Sequence, residues 1–455
     1  MAAFLASAAF GVMRQILFNA RFGIGEEAAA LYAALRLSET VSTLIAGGAL
    51  TNALIPHLLL AARQNDTVVS LINRVLTLMI VIATPFTLAL GLAAPPLLRW
   101  LVAPGLDPAT QALAALLTRI LVIEIVLQVA YGVLSAVLIA RGQFLLPALG
   151  IALRNTFMII TLLFPQATII TAAFGSLGDT AMQLLLLIPA LVHHRLRLRP
   201  AWRLRDPLVQ GTLRLAIPGA ISGTINYGNA IVDSAIASLG AQAAGLGAMH
   251  NALLLGHLPQ RLCGTAIGQA AYPYLAAAAI ARDRSLFRQR WLWATGAAVA
   301  LATLSGLALA GGGRWLIRLL FERGAFDRAA GDLTFALLLI FAGGLPVYVM
   351  VEISGRALVA LGDAHTPLLA NIAQLASRIA VATALWPVVG VLAVPIATVA
   401  SSIIETAILS IVLLNWLRTP AAWRVTVHAD AESASAGGGE GSSRPTIAGE
   451  QGVGR

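Results

Sequence analysis

Charged side chains inside apolar segments are the residues of this sequence most able to do chemistry. Arg14 lies in the stretch AAFGVMRQILF with no acidic residue within a helical turn, and Arg261 is placed in the same way. A charge inside a bilayer is costly, so such a group usually faces a watery cavity or a partner. Each of these two arginines therefore pairs with an acid from another helix or binds an anionic ligand, and the sequence pattern leaves both readings open.

Some of the other intramembrane charges come in pairs. Arg36 and Glu39 are three residues apart, and Glu352 and Arg356 are four apart, so each pair shares one face of a helix. We expect both pairs to neutralise themselves and to be structural.

The composition indicates a polytopic membrane protein. Of 455 residues, 58% are hydrophobic and 11% charged, and the mean hydropathy is +0.84. All 30 basic residues are arginine, so the formal charge of +10 persists at physiological pH. In so apolar a chain this charge indicates orientation in a bilayer and not nucleic-acid binding. The lone Cys263 excludes a disulfide framework and a cysteine-based metal cluster.

Apolar runs of about twenty residues predict roughly twelve transmembrane helices, and hence an all-α fold. The N-terminal run lacks a basic region before it and is predicted to be a retained first span. The predicted spans are 2–21, 29–60, 69–97, 109–140, 144–164, 167–192, 209–239, 243–279, 289–312, 330–360, 366–386 and 391–416.

Arginines collect in two loops, which predicts the orientation of the chain. The segment HHRLRLRPAWRLRD follows the sixth span, and the loop after the eighth span carries four more arginines. Both loops should be cytoplasmic, and with an even number of spans both termini then face the cytoplasm. On the opposite side, RWLIRLLFERGAFDRAAGD is predicted to form a short amphipathic surface helix.

An internal repeat divides the chain into two similar halves. AVLIARGQFLLPAL matches RALVALGDAHTPLL at a constant offset of 220, which also carries Asp107 onto Asp327. We expect two six-helix lobes related by a pseudo-twofold axis along the membrane normal, an architecture typical of transporters. The predicted domains are an N-terminal lobe (1–192), a basic cytoplasmic linker (193–208), a C-terminal lobe (209–416) and a disordered cytoplasmic tail (417–455).

Enzyme signatures are absent from the sequence, which contains no HExxH, Walker or Gly-x-Ser-x-Gly motif. His250 and His257 are better explained by polar packing than by ligand binding. The prediction is a protein that is not an enzyme and holds no cofactor or metal.

Six motifs identify a resemblance. In order and spacing, GVMRQILFNARFG, AGGALTNALIPHLL, VAPGLDPATQALAALLTRIL, LIARGQF, LFERGAFD and ALGDAHTP resemble the MurJ/MviN family of lipid II flippases, within the MOP exporter superfamily. The resemblance covers residues 1 to about 416. It implies a MATE-like fold in the bacterial plasma membrane and a flippase for lipid-linked peptidoglycan precursor. Membrane lipids and cell-wall synthesis proteins are the further partners that it implies.

The resemblance also implies which residues bind substrate. Arg14 matches the first-helix arginine of the family, so we assign to it the pyrophosphate of the lipid. Arg36 matches a position that is commonly basic and is assigned as a second cation. The eighth-helix arginine of the family is Leu254 here, and Arg261, two turns further on, is assigned as its replacement.

A cation site of the family is altered in this sequence. The resemblance implies a site that, in some family members, is a sodium pocket of acid, amide and hydroxyl ligands. Asp233 and Thr398 match two of its positions, but Arg378 stands at a ligand position on the eleventh helix. We expect the Arg378 guanidinium to take the place of the ion and to pair with Asp233. The family commonly adds two helices beyond the twelve predicted here.

Two classes of function remain open. The first is a flippase for lipid II or a related polyprenyl-pyrophosphate glycan. The second is a cation-coupled exporter of small amphiphiles, or a degenerate paralogue with a scaffold role. A net positive cavity would favour the first class, and a neutral or negative cavity the second.

Overall fold

A computed structural model describes residues 2–46, 53–58, 67–193, 199–202, 206–239 and 243–419. The regular structure in these ranges is entirely helical, as the sequence predicts. Besides the short helix 53–58, it comprises twelve longer helical segments: α1 (Ala2–Phe22), α2 (Glu26–Ala46), α3 (Thr67–Leu97), α4 (Pro108–Ala140), α5 (Leu145–Leu163), α6 (Ile169–His193), α7 (Pro207–Ser238), α8 (244–280), α9 (Arg284–Leu320), α10 (Arg328–Ala360), α11 (His365–Val389) and α12 (Ala393–Arg418).

Seven stretches of the described chain are long and apolar enough to cross a membrane. Their mean hydropathies range from 1.4 to 2.3. They are Val68–Val102, Pro108–Ala140, Leu145–Leu163, Ile169–His193, Arg284–Leu320, Arg328–Ala360 and His365–Arg418, the last of which contains both α11 and α12.

Several helices are interrupted, and the sequence explains two of the interruptions. Pro95 and Pro96 precede a π-turn (Leu98–Val102) at the end of α3, and Pro259 precedes another (Arg261–Ala266) within α8. Proline lacks the N–H of the helical ladder and its ring clashes with the preceding turn, so regular α-helix geometry fails nearby. A third interruption divides α5 into Leu145–Ala152 and Thr156–Leu163.

The repeat offset of 220 residues appears again in the helix bounds. Helix α4 begins at Pro108 and α10 at Arg328, and the two end at Ala140 and Ala360. The following turns contain Gly142 and Gly362 with φ of 74° and 85°. The sequence match thus predicts equivalent helices correctly.

Equivalent aspartates cap the two repeated helices. The Asp107 carboxylate accepts hydrogen bonds from the backbone N–H of Ala109 and Thr110, each at 3.0 Å, and Asp327 accepts one from Ala330 N at 2.8 Å. Hydrogen bonds from Thr110 and then Ala109 lower the pKa of the Asp107 carboxyl below its ordinary value. Both aspartates satisfy N–H groups that the first turn of a helix leaves free.

The buried apolar residues form three clusters. One lies in the first half of the chain around Leu71 and Leu134, and another in the second half around Val349 and Leu413. The third contains residues of both halves, including Phe18 and Phe341. The start of α7 packs into the first-half cluster through Val209 and Ala216, so α7 contacts both halves. The domain boundaries themselves stay a prediction.

The segment between α6 and α7 folds back along α3 where the structure describes it. Arg199 N donates to Asn73 Oδ1 at 3.2 Å, and Ala201 N donates to Thr77 Oγ1 at 3.1 Å. Asp206 pairs with Arg74 and caps α7 by accepting from Leu208 N at 2.8 Å. Most of the arginines of the predicted linker, and the tail beyond Thr419, lie outside the described residues.

The predicted amphipathic surface helix near 314–332 is wrong. Helix α9 continues to Leu320, a turn follows, and α10 begins at Arg328. The charges that suggested a separate surface helix belong to this turn and the helix ends, where Arg314 pairs with Glu322 and, at 2.8 Å, with Asp332.

The two halves of the chain meet closely at one end of the bundle, which we call the closed end and define by residues 20–25, 103–107, 238–239, 243–247 and 321–326. Ala325 N donates to Ala20 O at 2.8 Å, and Gly105 N donates to Ser238 Oγ at 3.2 Å. Gly324 has φ of 61°, and a Cβ there would lie 2.0 Å from Ala20 O. Only glycine fits this backbone and this contact.

We predict that Gly324→Val destabilises the closed end. The new side chain would strain the left-handed backbone and push the halves apart, at a cost of about 1–3 kcal/mol. Chemical unfolding of the purified protein in detergent measures this loss. Gly343→Ala is the control, since a Cβ at Gly343 meets no atom within 4 Å. Equal stability of the two variants would contradict the role of the closed end.

Candidate functional site

A cavity of about 340 Å³ lies among α2, α7, α8, α10, α11 and α12. Both halves of the chain contribute to its lining, which is rich in polar groups. The charged or titratable lining residues are Tyr32, Arg36, Asp233, His250, His257, Tyr348, Glu352, Arg378 and Glu405.

The centre of the polar lining is an ion pair between α7 and α11. Arg378 Nη1 lies 3.5 Å from Asp233 Oδ2, and the two side chains are only 7% and 10% exposed. The predicted pairing of these residues is confirmed. A buried pair of this kind compensates two charges that would each be costly alone.

Thr398, the third predicted cation-site residue, lies in the same cavity. Its hydroxyl donates to Val394 O at 2.9 Å within its own helix. The structure thus brings Asp233, Arg378 and Thr398 to one cavity, while their role as an altered ion site stays a prediction.

An amide network connects the helices around the ion pair. Asn229 Nδ2 donates to Gln374 Oε1 at 3.0 Å, and Gln374 Nε2 is 3.5 Å from Ser402 Oγ. The network thus joins α7, α11 and α12. It fixes the helix that carries Asp233 against the helix that carries Arg378.

Several polar atoms around this cavity have no hydrogen-bond partner among the described residues. They are Asn229 Oδ1, Asp233 Oδ1, Ser234 Oγ, His250 Nε2, Tyr348 OH and Arg378 Nε. Buried polar atoms are nearly always satisfied by protein, water or ligand. The cavity is therefore suited to hold water or a polar ligand.

The formal charge of the cavity lining is not net positive. Its lining has two arginines against three carboxylates, those of Asp233, Glu352 and Glu405. The predicted helical pairs are present: Arg36 Nη1 is 3.5 Å from Glu39 Oε2, and Arg356 Nε is 3.0 Å from Glu352 Oε1. Arg36 thus lines the cavity with its charge partly compensated.

Arg14 lies elsewhere in the bundle. Its side chain does not line this cavity but interacts electrostatically with Tyr32 of α2, Arg154 of α5, Glu39 of α2 and Asp179 of α6. Among the residues that the structure describes, no carboxylate oxygen lies within 4.0 Å of its guanidinium. The ligand-binding reading of this arginine therefore survives.

Arg261 occupies the π-turn of α8. The residue is exposed, lies beyond the cavity-lining Gln260, and interacts electrostatically with His257 one turn earlier. The structure does not gather Arg14, Arg36 and Arg261 around one cavity. Their assignment to pyrophosphate stays a prediction, and only Arg36 lines the central cavity.

Sequence reasoning missed a buried amide cluster between the halves. Gln15 Nε2 donates to Tyr32 OH at 2.7 Å and to Asn251 Oδ1 at 3.0 Å, and Asn19 Nδ2 donates to Asn251 Oδ1 at 2.8 Å. Gln15, Asn19 and Asn251 are at most 1% exposed. The Tyr32 ring also stacks on His250 at 4.1 Å. The i, i+4 spacing of Gln15 and Asn19 indicates that both amides share one face of α1. It does not reveal their common partner Asn251, which is 232 residues from Asn19.

We predict strong thermodynamic coupling between Arg378 and Asp233. Arg378→Ala leaves a buried carboxylate without its counter-charge and should destabilise the protein by about 3–5 kcal/mol. The double variant with Asp233→Ala should recover much of this loss, because neither charge remains. Unfolding titrations of the two single variants and the double variant measure the coupling.

Asp332→Ala is the matched control for this cycle. Asp332 pairs with Arg314 but its side chain is 61% exposed, so its loss should cost at most about 1 kcal/mol. Additive effects of Arg378→Ala and Asp233→Ala would show that the buried pair is not energetically coupled.

Solved transporter structures have the same fold. A structure described as lipid II flippase MurJ in an inward closed conformation matches with a TM-score of 0.79 at 21% identity, over 90% of this chain and 86% of that one. An inward-facing MATE family multidrug resistance transporter of the MOP superfamily matches with a TM-score of 0.77 at 16% identity, over 92% and 96% of the two chains. At these identities the likeness establishes the fold alone.

Sequence comparisons establish the family. A probable lipid II flippase MurJ from Rhizobium tropici is 28% identical over 404 residues, covering 84% of this chain and 74% of the relative. The lipid II flippase MurJ of Burkholderia cenocepacia is 27% identical over 375 residues, covering 80% and 72%. The family model described as lipid II flippase MurJ matches residues 18–433. This chain therefore belongs to the MurJ family of lipid II flippases.

Proposed function

We propose that this protein moves lipid II, or a closely related polyprenyl-diphosphate glycan, across the bacterial plasma membrane by alternating access. The observation that carries the proposal is Arg14, an arginine inside the bundle with no carboxylate within ion-pair distance among the described residues. The resemblance of GVMRQILFNARFG to the first-helix motif of the family assigns Arg14 to its first-helix arginine, and the family model itself matches the residues that follow, 18–433. An interior cation of this kind suits an anionic headgroup.

The chemistry of the guanidinium supports a diphosphate ligand. Arginine remains charged at all physiological pH values and presents its N–H groups as a planar fork, which matches two phosphate oxygens at once. In the low dielectric of a membrane protein this attraction is stronger than in water. A headgroup that reached Arg14 would therefore be held by its phosphates while its sugars occupied the space between the lobes.

The orientation follows from the basic loops. The arginine-rich segments after α6 and α8 would face the cytoplasm, as would both termini. The closed end then faces the periplasm, so the substrate enters from the cytoplasmic side and leaves when the closed end separates. Rocking of two similar lobes about a central site is the usual route of alternating access. Cell-wall synthesis proteins would supply the lipid and receive it.

We expect transport not to be coupled to sodium, because the Arg378 guanidinium takes the place of the ion. The Arg378 guanidinium lies 3.5 Å from Asp233 and supplies the positive charge that a bound cation would bring to that carboxylate. A second cation at the same carboxylate would be repelled. The step would then be driven by membrane potential or by another ion.

A second candidate function has one specific observation in its favour. The central cavity has one carboxylate more than it has arginines, which suits a cationic amphiphile better than an anionic headgroup. In this alternative the cavity would bind the substrate, and Arg14 would serve the structure of the N-terminal lobe.

A complementation assay tests the proposed flippase function. In cells depleted of every other lipid II flippase, this protein should restore lipid II to the outer leaflet, as measured by leaflet-resolved labelling. Arg14→Gln should lower the rate by about tenfold or more, because it removes a charge-assisted contact. Arg288→Gln, which alters an exposed arginine at the start of α9, should retain the rate.

The opposite result selects between the candidates. If lipid II stays in the inner leaflet while the protein lowers the accumulation of a cationic dye, the second candidate replaces the first. Equal rates for Arg14→Gln and Arg288→Gln would remove Arg14 from the transport site.

We predict that transport does not depend on sodium. Transport in proteoliposomes should proceed at the same rate when sodium is replaced by potassium. Arg378→Asn removes the guanidinium and places an amide next to Asp233 and Thr398, so sodium should stabilise this variant against heat and not the parent protein. A sodium-dependent rate in the parent protein would disprove the replacement of the ion by Arg378.

A further inference from the structure

The interruption of α5 carries a second arginine, Arg154, and lies against the helix that carries Arg14. The sequence IALRNTF puts Arg154, Asn155 and Thr156 in the middle of an otherwise apolar segment. Asn155 has φ of 151°, so the chain leaves the helix there and begins a new helix at Thr156. Broken membrane helices mark ligand sites in many transporters, because the free polar groups need a cavity or a partner.

Asp179 of α6 stabilises the interruption. Its Oδ1 accepts from Phe157 N at 2.7 Å and its Oδ2 accepts from Met158 N at 3.3 Å, so both carboxylate oxygens bind the start of the new helix. Asp179 is only 5% exposed. Gly178 allows this close approach, since a Cβ there would lie 2.3 Å from the Phe157 ring. The interruption is thus a built feature of the N-terminal lobe.

The interruption faces the part of α1 that carries Arg14. Helix α1 packs against both halves of α5, and a Cβ on Gly11 would lie 3.8 Å from Asn155 Nδ2. Gly11 is three residues before Arg14 and so lies on the same face of α1. The first half of α5, which ends just before Arg154, packs against α1, α4 and α6, the helices that carry Arg14, Glu124 and Asp179. The charge of Arg154 acts on all three of these side chains.

Two of the nearby carboxylates are engaged with other groups: Asp179 binds backbone amides, and Glu39 pairs with Arg36. The third, Glu124, is at no ion-pair distance from an arginine among the described residues. In the described part of the chain neither Arg14 nor Arg154 has a carboxylate oxygen within 4.0 Å. Two neighbouring cations repel each other, and an anion that contacts both converts this repulsion into attraction.

We propose that Arg154, presented by the interruption of α5, joins Arg14 in a two-arginine site for the diphosphate of the lipid headgroup. Each guanidinium takes one phosphate, and Asp179 is the positioning residue that holds Arg154 in place. This inference rests on the proposed function and adds a residue and a ligand preference to it. A diphosphate offers a separate phosphate to each guanidinium and carries more negative charge than a monophosphate, so the site favours a diphosphate.

The test is direct binding to the full-length protein in nanodiscs. The probes are undecaprenyl diphosphate, undecaprenyl monophosphate and inorganic pyrophosphate, with native mass spectrometry as the readout. The parent protein should bind the diphosphate lipid about tenfold more tightly than the monophosphate lipid. Arg154→Gln should abolish this preference, and Arg154→Lys should keep part of it because one point charge remains. Binding of inorganic pyrophosphate with the same affinity as the lipid would assign the site to a free anion and overturn the headgroup assignment.

Arg99→Gln is the matched control in the same lobe, because Arg99 is exposed and packs over Trp100. If Arg154→Gln keeps the diphosphate preference of Arg99→Gln while Arg14→Gln loses binding, the inference fails and the proposed function stands. If the parent protein binds neither lipid, the proposed function fails and the inference fails with it.

Two further measurements separate ligand contact from folding. Modification of the parent protein with phenylglyoxal, mapped by mass spectrometry, should show protection of Arg14 and Arg154 by the diphosphate lipid and none at Arg99. Absence of protection at Arg154 would overturn the proposal without any variant. Asp179→Asn should reduce the diphosphate preference and leave monophosphate binding unchanged, because it displaces only Arg154.

Discussion

The charges inside this protein are in an environment that cannot solvate them, so each needs a counter-charge, a hydrogen-bond donor or water. The two halves of the chain meet this requirement in different ways. In the second half Arg378 pairs with Asp233, and an amide network connects their helices. In the first half Arg14 and Arg154 have no carboxylate at ion-pair distance among the described residues, while Asp179 is committed to backbone amides. The first half therefore keeps two interior arginines outside ion-pair distance of any described carboxylate, while the second half pairs Arg378 directly.

This asymmetry is placed on a symmetric scaffold. Helices α4 and α10 begin and end at positions 220 residues apart, and Asp107 and Asp327 cap them in the same way. The equivalent halves therefore differ in whether their interior arginines are paired with carboxylates. Such a division suits a transporter, in which one lobe can bind the headgroup while the other responds to a driving force. In the proposed function, the Arg378–Asp233 pair of α7 and α11 would take the place of a sodium ion at that site.

The contact between the halves combines close backbone packing with hydrogen bonds that water can replace. At the closed end, Gly324 permits backbone contact with Ala20, and deeper in the bundle Gln15, Asn19 and Asn251 share hydrogen bonds across the halves. Hydrogen bonds between neutral amides contribute little net free energy compared with buried apolar area. They specify one arrangement of the halves, yet water can replace them when the halves separate. A closed end of this kind is compatible with repeated opening.

The sequence by itself determined the class of the protein, the approximate bounds of most helices in the described ranges, the repeat and the family, because these depend on local hydrophobic periodicity and on motifs of adjacent residues. The predicted span 29–60 is an exception: its helix α2 ends at Ala46, a short helix covers 53–58, and 47–52 lie outside the described residues. It also predicted the pairing of Arg378 with Asp233. It could not show that Arg36 would line the central cavity while Arg14 and Arg261 would not, or that Asp179 would cap the interrupted α5. Those outcomes depend on which helices pack together and how each is rotated, and contacts such as that of Asn19 with Asn251 join residues far apart in the chain. For charges without a partner on their own helix, such as Arg14 and Arg154, tertiary packing decides whether a carboxylate comes within ion-pair distance.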